Sequence, residues 1–170
     1  YAKGLNGEMF FGGTKGINAF FPENIRKNSC VPPVVITNFK IFNKSVPIGA
    51  GSVLKQAISF TEELTLSYQD DIFSFEFAAL NYTNPKKNRY AYKMEGIFDD
   101  WIHIGTERTA SFTNLDPGEY VFHVKGSNNH GLWNEEGTSV SIIILPPWWR
   151  TNFAYVGYIL FIAFTIYGLR

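Results

Sequence analysis

Two pairs of adjacent carboxylates, Asp70-Asp71 and Asp99-Asp100, are the residues of this chain with the strongest claim to acid–base chemistry. Glycoside hydrolysis needs two carboxyl groups flanking one bond. Both pairs, however, follow apolar runs in segments that read as turns, where Asp satisfies nearby backbone N–H groups, so they are expected to be solvated turn residues. The three histidines, His103, His123 and His130, are not at metal-ligand spacing, and His123 falls on the polar phase of its segment. Cys30 is the single cysteine, which excludes an internal disulfide. Asn43-Lys44-Ser45 and Asn81-Tyr82-Thr83 match the glycosylation triplet, a pattern that arises often by chance. No acid, base and nucleophile converge, so no catalytic residue, cofactor or metal is expected.

Trp101 and Trp133 are the candidates for stacking on a sugar ring. They make a carbohydrate-binding module the rival to any other reading of the chain. Aromatic burial is the commoner fate, with Trp101 in a core and Trp133 packed over an edge loop, and that is the expectation. Charge gives no further lead: the 15 basic and 15 acidic residues cancel, so nucleic acid is not an expected partner.

The elements that must carry these residues are strands. Between residues 33 and 145, short runs rich in β-branched and aromatic residues alternate with Gly, Pro, Asn and Asp clusters. Strands are expected at 34–42, 58–60, 64–67, 72–79, 90–94, 101–104, 110–112, 120–127 and 139–145. Phe73, Phe75 and Phe77 alternate with Ile72, Ser74 and Glu76, which gives one strongly apolar face and predicts a central strand. Strands at this spacing, with no amphipathic helix among them, predict an all-β fold, an immunoglobulin- or fibronectin-III-like sandwich. Leu115-Asp116-Pro117-Gly118-Glu119-Tyr120 has the layout of a tyrosine corner, in which Leu115, Pro117, Gly118 and Tyr120 shape a sharp turn and the Tyr hydroxyl bonds back to it. Gly118 is expected to supply positive φ there.

Two flanking pieces differ. Residues 8–21 read as a β-hairpin around Gly12-Gly13-Thr14-Lys15-Gly16, too little sequence to build a core and similar in character to one propeller blade. At the other end, residues 151–169 carry no charge and are almost wholly apolar from Phe153 onward. A helix of that length is roughly 25 to 29 Å long, close to a bilayer core, and one apolar on every face has no core here large enough to surround it. Pro146, Pro147, Trp148, Trp149 and Arg150 precede it, the prolines stiffening the chain and the rest supplying an interfacial flank. A single transmembrane α-helix is therefore expected. Arg170 beyond it agrees with a cytoplasmic far end, offset in part by Arg150. No leader-like segment opens the chain, which reads as a piece of a longer protein.

These pieces in this order resemble the last propeller repeat, the Tyr-Tyr-Tyr domain and the membrane helix of bacterial hybrid two-component sensor histidine kinases that regulate polysaccharide use. The resemblance is carried by residues 12–22 and 32–39, by Phe77-Ala78-Ala79-Leu80-Asn81-Tyr82 and Tyr90-Ala91-Tyr92-Lys93-Met94-Glu95-Gly96, and by Trp101 and residues 113–120. Asn128-Asn129-His130-Gly131-Leu132-Trp133 and Pro146-Pro147-Trp148-Trp149 complete it. It implies a blade fragment at 1–30, a Tyr-Tyr-Tyr domain at 31–147, and a junction with membrane helix at 148–170. It further implies a non-catalytic sensor and relay module in the periplasm, anchored once in the inner membrane. Its partners would be an upstream propeller and a downstream kinase of the same chain, a second copy as homodimer, and an oligosaccharide ligand. The alternatives are the carbohydrate-binding module and a passive membrane-anchored spacer.

Overall fold

The computed structural model describes residues 1–25 and 28–168. The chain divides into two compact units, Tyr1–Cys30 and Val31–Arg170.

The first unit is a three-stranded antiparallel sheet of β1 (Ala2–Lys3), β2 (Met9–Gly13) and β3 (Gly16–Phe20), in that spatial order. Gly13 pairs with Gly16, so Thr14 and Lys15 alone make the turn, and Gly16 takes a φ of +131° that a side chain would resist. The Tyr1, Phe11 and Phe20 rings stack in sequence on the sheet surface at 5.7 and 5.6 Å. None of its described residues is buried.

The second unit is a two-sheet sandwich. Its strands are β4 (Val34–Ile41), β5 (Lys44–Ser45), β6 (Glu63–Ser67), β7 (Ile72–Ala79), β8 (Tyr90–Glu95), β9 (Phe98–Gly105), β10 (Thr109–Thr113), β11 (Gly118–Ser127) and β12 (Trp133–Leu145). One sheet has the order β10-β7-β4-β5 and the other β6-β12-β11-β8-β9, with only β12 and β6 parallel. The alternation in β7 does what its pattern requires: Phe73, Phe75 and Phe77 are buried and Ile72 is exposed. Across the sandwich Phe75 stacks on Phe122 of β11 at 4.6 Å, and Phe39, Phe112, Tyr90 and Met94 close the core around them.

Three local expectations change. Residues Ile58–Phe60 form a 3-10 turn rather than a strand, and it plugs Ile58 into the core. The strand expected to run to residue 42 stops at Ile41, because Phe42 and Asn43 both adopt positive φ, at 50° and 61°, and turn the chain into β5. That pair of left-handed residues is the tight hairpin turn matched to strand twist. β9 begins at Phe98, so Asp99 and Asp100 lie on an exposed edge strand and not in a turn.

After β12 comes a short 3-10 turn at Trp148–Arg150 and then α1 (Asn152–Gly168). Leu169 and Arg170 lie outside the described residues, and with them the expectation for Arg170. No helix among the described residues is long and apolar enough to cross a membrane. The 17 residues of α1 make about 26 Å at 1.5 Å per residue.

Candidate functional site

Three places answer the candidates raised by the sequence: the segment between β12 and α1, the turn before β11, and the outer face of the five-stranded sheet.

The connecting segment is held at both ends. The Trp149 ring packs edge-on against Tyr68, in the turn between β6 and β7, with centroids 5.3 Å apart, and Trp148 packs edge-on against Trp149. Pro147 cannot donate, yet its carbonyl accepts from Arg150 N–H at 2.9 Å and starts the 3-10 turn. The Thr151 hydroxyl donates to the Trp148 carbonyl at 2.7 Å and accepts from Ala154 N–H at 3.4 Å, the position of a helix N-cap. Tyr158, nearly two turns into the helix, donates its hydroxyl to the Trp149 carbonyl at 3.3 Å. The path from sandwich to helix is thus a chain of ring contacts and hydrogen bonds. Sequence reasoning picked out the connector but missed Tyr68, Tyr158 and the capping role of Thr151. Only the Ser/Thr preference at N-caps could have flagged one of them.

At the turn before β11, the Tyr120 hydroxyl donates to the Asp116 carbonyl at 2.8 Å. Leu115 is half-buried against the core. The positive φ of this turn belongs to Asn114, at 52°, and not to Gly118, which is already paired with Ile144 as the first residue of β11. Gly96, in the facing turn, has φ +96°, and a Cβ there would meet the Tyr120 ring at 2.8 Å. Its missing side chain lets the ring lie flat across that turn.

Trp101 is not in the core. It sits half-exposed on the outer face of β9, with Trp133 of β12 on the same face, and Lys125 of β11 reaches between them. The Lys125 ammonium lies 4.5 Å from the Trp101 ring centre and 5.6 Å from that of Trp133, and pairs with Glu135 at 2.7 Å. The correction has a physical cause: on this strand the core-facing phase falls elsewhere, and a lysine desolvated to 11% side-chain exposure needs both π faces and a carboxylate. His103 packs edge-on against Trp133 at 5.4 Å. The same face carries Lys93 bonded to Glu95 at 2.6 Å, with His123 Nε2 at 3.1 Å from the same carboxylate oxygen. The Lys93 hydrogen bond holds the Glu95 carboxyl below its ordinary value, against an opposing desolvation, with the neighbouring His123 and Lys93 side chains adding to the lowering. These contacts fasten the face together, with the Lys125 ammonium lying over both tryptophan rings.

Asp70 accepts from Ser67 N–H at 2.9 Å and shapes the β6–β7 turn. Among the described residues no group of three His, Cys, Asp or Glu side chains could hold a metal ion.

Comparison with known proteins agrees with this architecture. Residues 81–145 match the model of the Y_Y_Y domain. Histidine kinase P4 of Formosa agariphila is 37% identical over 165 residues, which is 96% of this chain and 12% of that protein. The chain therefore spans about an eighth of the length of this relative. The extracellular domain assigned to the hybrid two-component system BT3049 of B. thetaiotaomicron superposes with a TM-score of 0.65 at 28% identity, over 85% of this chain and 19% of that one. The extracellular domain of BT4673 from the same organism shares the fold, with a TM-score of 0.64 at 24% identity over 84% of this chain and 19% of that one.

Proposed function

We propose, from a chain that carries a Y_Y_Y domain and resembles the sensor region of hybrid two-component histidine kinases, that it is a non-catalytic extracytoplasmic relay. It passes a signal, carbohydrate in origin, from an upstream propeller to a cytoplasmic kinase in the same protein, working as a homodimer. In this reading Tyr1–Cys30 is a propeller-blade fragment, residues 31–147 are the Tyr-Tyr-Tyr domain, and residues 148–170 are the junction and membrane helix. The observation that carries it is the continuity of the junction: the Tyr68–Trp149 contact and the Tyr158–Trp149 hydrogen bond tie the β6–β7 turn of the sandwich to the helix through rings and backbone.

The helix supports the reading by what it exposes. Phe153, Phe161, Ile162 and Ile159 are 91, 68, 55 and 66% exposed, and at about 100° per residue they point to all sides of α1. Such a surface is costly in water and suited to acyl chains. At about 26 Å it falls short of a ~30 Å hydrocarbon core, a mismatch that a bilayer absorbs by local thinning at modest cost. Trp148 and Trp149 would then lie at the interface.

Cys30, exposed and the single cysteine of the chain, is a built-in topology probe. In intact cells expressing the chain behind an export signal, a membrane-impermeant maleimide should label Cys30 without permeabilisation, and the protein should stay in the membrane fraction after a carbonate wash. Labelling only after permeabilisation, or release by the wash, would contradict the assignment.

A further inference from the structure

At the end of the sandwich opposite the junction, three loops enclose a pocket of about 500 Å³ lined by Lys86, Lys87, Arg89, Thr106, Asn129 and His130. The β11–β12 loop that forms one wall stands at the start of the 13-residue β12, whose other end leads to the helix. That separates the pocket from the junction by about 40 Å of strand.

None of the lining residues is acidic, although the whole chain is neutral. Among the described residues the four ion pairs involve Lys40, Lys93, His123 and Lys125, and none involves Lys86, Lys87 or Arg89, which are exposed. Three like charges gathered in one concavity without carboxylates are a cost to the free protein that an anion would relieve.

The walls are preorganised. Asn88, fully buried between Lys87 and Arg89, donates to the Ala79 carbonyl at 3.2 Å and accepts from Asn81 at 2.9 Å. Asn81 donates in turn to Asn129 at 3.0 Å. Asn128, also fully buried, accepts from the N–H groups of His130 and Leu132 at 2.9 and 3.0 Å. Arg108 pins the Lys86–Lys87 turn by donating to the Pro85 carbonyl at 3.1 Å. The buried amides hold both loops, so the cations project from a fixed frame and not from loose strings of chain.

We propose that this pocket binds a tetrahedral oxyanion, a sulfate or phosphate group, through Lys86, Lys87 and Arg89. Arg89 can bond two oxygens in its planar fork, and the two ammonium groups supply point charges.

The test is an NMR titration of the isotope-labelled chain in a neutral detergent with sodium sulfate, sodium phosphate and sodium acetate, each against sodium chloride at matched ionic strength. Sulfate and phosphate should give saturable amide shifts centred on Thr106, Asn129 and Gly131, with acetate binding more weakly. A variant with Lys86, Lys87 and Arg89 all changed to Gln should bind sulfate at least about ten-fold more weakly. A variant losing the same charge at Lys3, Lys15 and Lys44 should bind as the parent does. Shifts that match chloride, acetate binding as tightly as sulfate, or equal loss in both triple variants would each overturn the proposal. All six side chains are exposed, so both variants are expected to fold, which unchanged shifts for the core amides of β7 would verify.

Discussion

The Tyr120 hydroxyl makes one hydrogen bond, and its ring fills the space left by Gly96. Tyr120→Phe keeps the ring and removes the bond, so it should cost about 0.5 to 1.5 kcal/mol in denaturant melts. Tyr120→Ala also removes the packing and should cost about 3 to 5 kcal/mol. Equal losses would mean that the hydroxyl and the ring do not act as separate contributions. A second residue gives a pH signature. Glu76, on β7, has its carboxyl held below its ordinary value first by the hydrogen bond from Lys40 and then by that from Asn38 at 3.1 Å, with burial opposing. A depressed folded pKa stabilises the fold above the unfolded carboxyl value, and that stability is lost as pH falls through the folded value. Glu76→Gln should therefore flatten the acid limb of stability against pH while leaving its alkaline limb unchanged. An identical acid limb in parent and variant would remove Glu76 from the account. At this scale the sequence was a partial guide. Tyr120 was legible because turn residues and strand phase agreed, whereas Trp101 was assigned to the core because no pattern in β9 reveals that Lys125, 24 residues on, comes to lie over its ring.

Among the elements, the strongest alternation was read correctly: β7 places its three phenylalanines inward. Ile58–Phe60 misled because three residues cannot distinguish a strand from a 3-10 turn, and an apolar plug looks the same in either. Asp99-Asp100 misled because charge on an edge strand, a common protection against sheet-to-sheet pairing, resembles a turn in sequence. The sheet of Tyr1–Cys30 is a different case, with no buried residue among those described and a five-residue longest strand. Three short strands without a core hold their hydrogen bonds weakly. Amides of β2 and β3 should exchange with solvent orders of magnitude faster than those of β7. Comparable protection in the two sheets would mean that the first unit is stable by itself.

The molecule as a whole is mechanically continuous from Val31 to Gly168. The sandwich is rigid because its two sheets share a single aromatic core, and β12 crosses it from the pocket end to the junction. Residues 146–150 were legible as a connector from their prolines and tryptophans. The clasp that makes the connector stiff was not, because it depends on Tyr68, some 80 residues upstream of Trp149, arriving beside it. If movement of the sandwich reaches the helix, it does so through that clasp and the capped turn that follows.

Inserting four or five Gly-Ser residues between Pro147 and Trp148 parts the Pro147 carbonyl from Arg150 N–H, and Tyr68→Ala in the same protein removes the clasp, so that a flexible linker lets the ends move independently. The measurement is a transcriptional reporter driven by the proposed full-length receptor at matched expression. The account predicts that the two changes together abolish the ligand response while the sandwich keeps its stability. An undiminished response would contradict it, because coupling would then run by some route other than the junction.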